Sequence, residues 1–362
     1  MNRRESTISN YQAAVIIINF ILAAGILSLP RTATEEVKTP DAWISVALGG
    51  IIAIIIGYFM VKLSQTFPNK TFFQYSRTLL GKWIGGFLSI ILAFYFITLS
   101  SFEIRTLSEV VSFYLLEGTP NWATIMPFLW IGLYLSSGGI QAVGRMFEII
   151  LPITILFFII VILMSFKIFE IKNLQPVMGH GIVPVLRGVK TTALSFIGVE
   201  IVLVILAFMK EPQKGVKVMA LGVIIPLVFY LGIVTMVIGS LSVDGVVHKT
   251  WPSLALIRSY EMPGLFLERF ESLLLVIWTM QIFSTFCITY FAASLGLSQV
   301  FNVNIRKFLF ALLPIIYLGS IIPKNIEQVF SLGDFLGEVA IVLFVFLPLP
   351  LFLLSKWKGG SK

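Results

Sequence analysis

The sequence predicts an all-α polytopic membrane protein of about ten transmembrane helices, arranged as a five-plus-five inverted repeat with helices one and six broken. Three observations predict it. The chain is too apolar for a soluble core. Its apolar residues fall into segments of bilayer length. Two of those segments, at equivalent positions in the two halves, carry glycine at mid-depth.

Of the 362 residues, 57% are hydrophobic and only 12% are charged. Counted with Gly and without Tyr, the apolar share is roughly 62%, against about 45–50% in soluble domains. Folding buries only about three quarters of a chain's surface at this length. A soluble enzyme, a nucleic-acid binder and a disordered scaffold are therefore excluded. The net charge of +8 fits basic residues retained on the cytoplasmic side. No basic cluster interleaved with aromatics lies outside the apolar spans, so no nucleic-acid partner is expected. The lone Cys287 rules out an internal disulfide and a Cys-based metal site, while His180 and His248 stand far apart in loop-like sequence. Neither a metal nor a cofactor is expected.

About 20 predominantly apolar residues cross a bilayer core. Ten segments qualify or nearly do, centred on 8–30, 43–64, 83–112, 122–143, 146–166, 188–209, 218–240, 272–298, 306–322 and 336–355. They form one transmembrane domain over 1–362, with repeat one at about 8–166 and repeat two at about 188–355. The first run, Ser6 to Pro30, has 25 residues without a formal charge, which suits a span better than a cleaved signal peptide. The ninth is the weakest, because Lys324 follows soon after Phe308. The tight turn from Lys210 to Lys217 holds three lysines, whereas the loop around Gly118 to Asn121 has no Lys or Arg. Both termini are accordingly expected on the cytoplasmic side. Between spans two and three, Phe72 to Gly81 is amphipathic and suits either an interfacial helix or an ordinary short connector.

The first break is expected at Ala23-Ala24-Gly25-Ile26-Leu27-Ser28-Leu29-Pro30 and the second at Ser195-Phe196-Ile197-Gly198-Val199-Glu200. Small residues in a membrane helix also mark close packing. The pairing of the two sites points instead to a midplane binding site, since broken spans at equivalent positions are the sequence sign of one. A half-helix N-terminus offers N–H groups and a positive dipole end to a carboxylate, and the facing C-terminus offers carbonyls to an ammonium group. The ligand-binding candidates are Ala24, Gly25, Ile26 and Leu27 at the first break and Phe196, Ile197 and Gly198 at the second. Tyr95 and Leu99 are candidate pocket walls on span three, and Gln281 and Thr285 border the site from one face of span eight. No charge near the breaks matches an ionised ligand side chain, so a small neutral amino acid is expected.

Glu103, Arg105, Glu109 and Glu200 fall within spans three and six, where ionisable residues are functional candidates by default. Glu200 reads as a polar anchor for the broken helix or as a proton sensor. Arg105 and Glu109 are four apart and can pair as an outer-leaflet bridge, whereas Glu103 has no such partner and can line an outer vestibule.

The motifs Ala24-Gly25-Ile26-Leu27 and Phe196-Ile197-Gly198-Val199-Glu200 resemble the unwound motifs of the amino acid–polyamine–organocation transporter superfamily. Length, ten spans and Ile26-Leu27-Ser28-Leu29-Pro30 look most like one branch, the B subunits of spore nutrient germinant receptors. The resemblance implies a ligand-sensing subunit, not an enzyme, that triggers germination from the spore inner membrane beside an A subunit and a lipoprotein C subunit. A proton-coupled amino acid transporter and a partner-gated ion channel stand as alternatives.

Overall fold

The structure is a computed structural model that describes residues 7–22, 25–259 and 270–359. Among these the chain is helical, with one isolated β-bridge between Ile8 and Met209. In the first half, α1 (Asn10–Leu22) and α2 (Gly25–Val37) form a bent pair. They are followed by α3 (Ala42–Gln65), the short α4 (Phe72–Leu80), α5 (Lys82–Tyr114), α6 (Asn121–Ser137) and α7 (Gly139–Ser165). The second half has α8 (Ile182–Leu194), a one-turn α9 (Val202–Ile205), α10 (Gly215–Val247) and α11 (Pro252–Arg258). It closes with α12 (Phe270–Phe301), α13 (Ile305–Ile321), α14 (Ile326–Ala340) and α15 (Pro348–Gly359), the last two joined by π-helix at Ile341–Phe346.

Six helical stretches are long and apolar enough to cross a membrane, or seven with the bent α1–α2 pair counted as one span. Length therefore supports fewer spans than the ten segments of the sequence. Both α6 and α13 stop at 17 residues, and the sixth segment is divided into α8 and short helical pieces. The long helices are apolar all round, as lipid exposure on one side and packing on the other require. Phe87, Phe94, Leu156 and Leu163 on the outside of α5 and α7 are exposed, whereas Phe96 and Phe147 on the same helices are fully buried.

Two boundaries differ from the sequence reading. The turn between spans four and five falls at Gly138-Gly139 and not beside Arg145, because Gly139 takes φ +78°, which costs glycine nothing. The last span begins at Ile326, ten residues before the expected 336, so its first turns carry Glu327, Asp334 and Glu338. The amphipathic 72–81 segment is the connector α4, whose Phe72, Phe73, Tyr75 and Leu79 are buried against the bundle.

The most extensive helix–helix contact joins α5 to α12, the third members of the two halves. Ser100 Oγ donates to Thr289 Oγ1 across this seam at 2.8 Å. Similar polar ties hold α8 on α3, where Thr192 Oγ1 reaches Ser45 O at 2.7 Å and Ser45 Oγ reaches Val185 O at 2.8 Å. On the N-terminal face, Ile8 N donates to Phe208 O at 2.8 Å and Lys210 N to Ile8 O at 3.0 Å. Asn10 Nδ2 reaches Glu211 Oε2 at 2.7 Å, and the Lys214 ammonium beside Glu211 holds its carboxyl below the usual range. The strand-like entry to span one is thereby latched to the exit of span six.

Candidate functional site

Both expected breaks exist, and they touch. The axes on either side of the first differ by 57°. Ala24 lies outside the described residues, and of Ile26 only the backbone is described. The carbonyls that end α1 are reached by side chains of other spans. Tyr230 Oη of α10 donates to Ile21 O, and Thr285 Oγ1 of α12 lies 3.4 Å from Phe20 O. A methyl group on Gly25 would lie 2.6 Å from Tyr230 Oη, so the close approach of Tyr230 needs glycine there.

The second break runs from Ser195 to Gly198, between α8 and the 3-10 turn Val199–Ile201. Gly198 adopts φ +125°. A Cβ on it would meet Ile21 N at 3.1 Å and Phe20 C at 3.2 Å, which places this backbone directly against the end of α1. Glu200 closes the turn, with Oε2 accepting from Gly198 N at 2.6 Å and Oε1 from Tyr95 Oη at 3.0 Å. A buried carboxylate thus holds the broken segment to α5.

Between the breaks lies a cavity of about 190 Å³. Four of the expected residues line it: Gly25, Leu99, Glu103 and Ile197. The structure adds Ser28 and Thr32 of α2, Ser195 at the second break, and Phe330 and Asp334 of α14. Glu103 is only 4% exposed, and its Oε2 has no hydrogen-bond partner among the described residues. The expectation that no charge near the breaks could match an ionised ligand group did not count Glu103 and Asp334, which line this cavity. Among the described residues two carboxyl groups line the cavity, and no Lys or Arg does.

The remaining candidates are elsewhere. Leu27 and Gln281 line a separate void of about 40 Å³, where Gln281 Nε2 donates to Thr154 Oγ1 at 2.6 Å. Phe196 packs edge-on against Tyr230 with ring centroids 5.4 Å apart and faces a third void of about 70 Å³ beside Glu200. Tyr95 is buried in its bond to Glu200 and is not among the lining residues. Arg105 pairs with Glu109 at 2.6 Å and lines a larger cavity toward the opposite face from the N-terminus. The helix rotates 200° over two residues, which sends Glu103 and Arg105 to different cavities. Sequence reasoning missed Asp334 because the last span was begun at 336. It missed Tyr230 because only packing brings span seven to the end of α1. A tyrosine alone in the apolar core of that span was the available signal.

The comparisons with known proteins agree with this architecture. Two solved structures share the fold over nearly the whole chain at low sequence identity. One is MhsT in complex with L-phenylalanine (TM-score 0.71, 13% identity, covering 97% of this chain and 88% of that one). The other is Mhp1, a nucleobase-cation-symport-1 family transporter in a closed conformation with bromovinylhydantoin bound (TM-score 0.70, 14% identity, 94% and 77%). Spore germination protein YndE of Bacillus subtilis (strain 168) is 54% identical over 358 residues, 99% of each chain. A family model described as "Spore germination protein" matches residues 7–329. With these matches and this fold, the chain belongs to the spore germination protein family.

Proposed function

We propose that this integral membrane protein is the ligand-sensing subunit of a germinant receptor, and that a small amino acid binds in the cavity between the two breaks. The observation that carries the reading is Glu103, a buried carboxyl with an unpartnered oxygen in a cavity lined from both breaks. An unpaired buried carboxylate is costly and draws a cation. The ligand's ammonium group sits at Glu103, and its carboxylate at the first turn of α2, whose N–H groups at Gly25 and beyond have no intrahelical acceptor. At about 190 Å³ the cavity is smaller than the ~300–1,000 Å³ of pockets for drug-sized ligands, which favours a small side chain. Leu99, Ile197 and Phe330 offer it an apolar wall.

Binding shifts the sensor only if the ligand prefers one arrangement of the breaks. The reading includes the spore inner membrane, cytoplasmic termini, and A and C partner subunits, in line with the chain's family. A proton-coupled transporter is the second reading, favoured by the fold shared with Mhp1. Reconstituted protein separates the two. Saturable binding of labelled glycine, alanine, valine or leucine without uptake into proteoliposomes under an imposed pH gradient supports the sensor. Gradient-driven uptake supports the transporter, and no saturable binding of any of them overturns both.

A further inference from the structure

A cavity larger than the one between the breaks lies elsewhere among the described residues. It measures about 810 Å³ and opens on the face opposite the N-terminus, where the end of α5, the start of α6, the loop after α10, α11 and the start of α14 converge. Among the described residues its walls carry the basic side chains of Arg105, Lys249, Arg258 and Lys324 and one acid, Glu109. That acid is already neutralised, because Arg105 bonds it at 2.6 Å. Arg105 also donates to Ser320 O at 3.2 Å and, with its side chain 5% exposed, is fixed in place. Lys249 and Lys324 form no ion pair among the described residues and are exposed to the cavity's solvent.

Two helix starts also reach the cavity. The 15-residue helix α14 starts at this wall, with Asn325 as its cap accepting from Gln328 N at 3.0 Å, and the 17-residue α6 starts there at Asn121. Each helix start presents partial positive charge to the cavity. Several separate elements thus bring basic side chains to the wall of one space, where the carboxylate among the described residues is paired with Arg105. Such a concave, one-signed surface focuses its field on an anion. Donors that come from different directions suit a tetrahedral oxyanion better than a planar carboxylate, which a single guanidinium fork satisfies. The volume exceeds that of the ion alone and lies in the range of pockets for small molecules. Trp251 and Leu254 supply an apolar wall for the body that carries the charge.

We propose that this outer cavity binds a phosphate group, carried by an anionic lipid headgroup or by a small soluble phosphate. The site is distinct from the cavity between the breaks and stands or falls independently of the amino acid reading. The test uses the full chain in nanodiscs, read by its thermal unfolding midpoint. One arm adds inorganic phosphate to phosphatidylcholine discs, and the other replaces part of that lipid with phosphatidylglycerol. A rise in the first arm identifies a soluble phosphate ligand, and a rise in the second alone identifies the headgroup. Either rise is lost in Lys249→Gln/Lys324→Gln, with apparent affinity about tenfold weaker, the scale of one or two charge-assisted hydrogen bonds. The rise persists in Lys217→Gln, an exposed lysine of the other face. No rise in either arm, or an equal rise in the double variant, overturns the proposal.

Discussion

Glu200 is one residue holding two structures together. Its carboxylate takes the Gly198 N–H at 2.6 Å and the Tyr95 hydroxyl at 3.0 Å, so the broken segment and α5 share one acceptor. Truncation leaves two buried donors unpaired, each at a cost of about 1–3 kcal/mol. Glu200→Ala is therefore expected to lower the unfolding free energy by roughly 2–5 kcal/mol, while Tyr95→Phe costs only about 1 kcal/mol because it removes the donor along with the bond. Combined with Glu200→Gln in a double-mutant cycle, Tyr95→Phe is expected to show coupling; additive effects would remove the bond from the account. At Gly198 the backbone sits at φ +125° with Ile21 and Phe20 within 3.2 Å of any Cβ. Gly198→Ala is expected to destabilise by about 1–3 kcal/mol, measured as a lowered thermal midpoint.

Among the elements, the junction of α1 and α2 depends on a residue more than 200 positions away in the chain, on a helix packed directly against both. Tyr230 caps Ile21 O and occupies the space where a Gly25 side chain would stand. Gly25→Ala is expected to lower stability, and the double variant Gly25→Ala/Tyr230→Phe to recover part of the loss by removing the offending hydroxyl. No recovery would mean that Gly25 is needed for backbone reasons alone. Much of this scale was legible in the sequence. Apolar length located the helices, and glycine at mid-depth located both breaks, because each is a local property. The Gly138-Gly139 turn was not legible, since Gly144-Arg145 offered an equally good polar punctuation and only packing of Gly144 near Gln12 and Ile16 keeps that stretch helical. Nor was the start of α14, where Lys324 and Asp334 look like a loop until the cavities on either side give them polar surroundings.

For the whole molecule, α5 and α14 each line both cavities. Leu99 and Glu103 face the space between the breaks, and Arg105 and Glu109 face the outer one. The site therefore draws on α2, α5, the segment after α8, and α14, elements far apart in the chain, which is why composition and spacing named only part of it. A ligand held between the breaks is expected to slow amide hydrogen exchange at the first turn of α2 and at Ser195 to Gly198, where helical bonds are missing. Exchange in the middle of α3 and α10 should stay unchanged. Uniform slowing across all helices would indicate general stabilisation without a local site.

The central claim is that Glu103 receives the ammonium group of a small amino acid. Isothermal titration of glycine, alanine, valine and leucine into the nanodisc-embedded chain and its Glu103→Gln variant tests it most directly. Gln preserves size and one acceptor oxygen but not the charge. The account predicts saturable binding of at least one of these to the parent and an affinity weaker by about tenfold or more in the variant, at an unchanged unfolding midpoint. Equal affinity in the two proteins would contradict it.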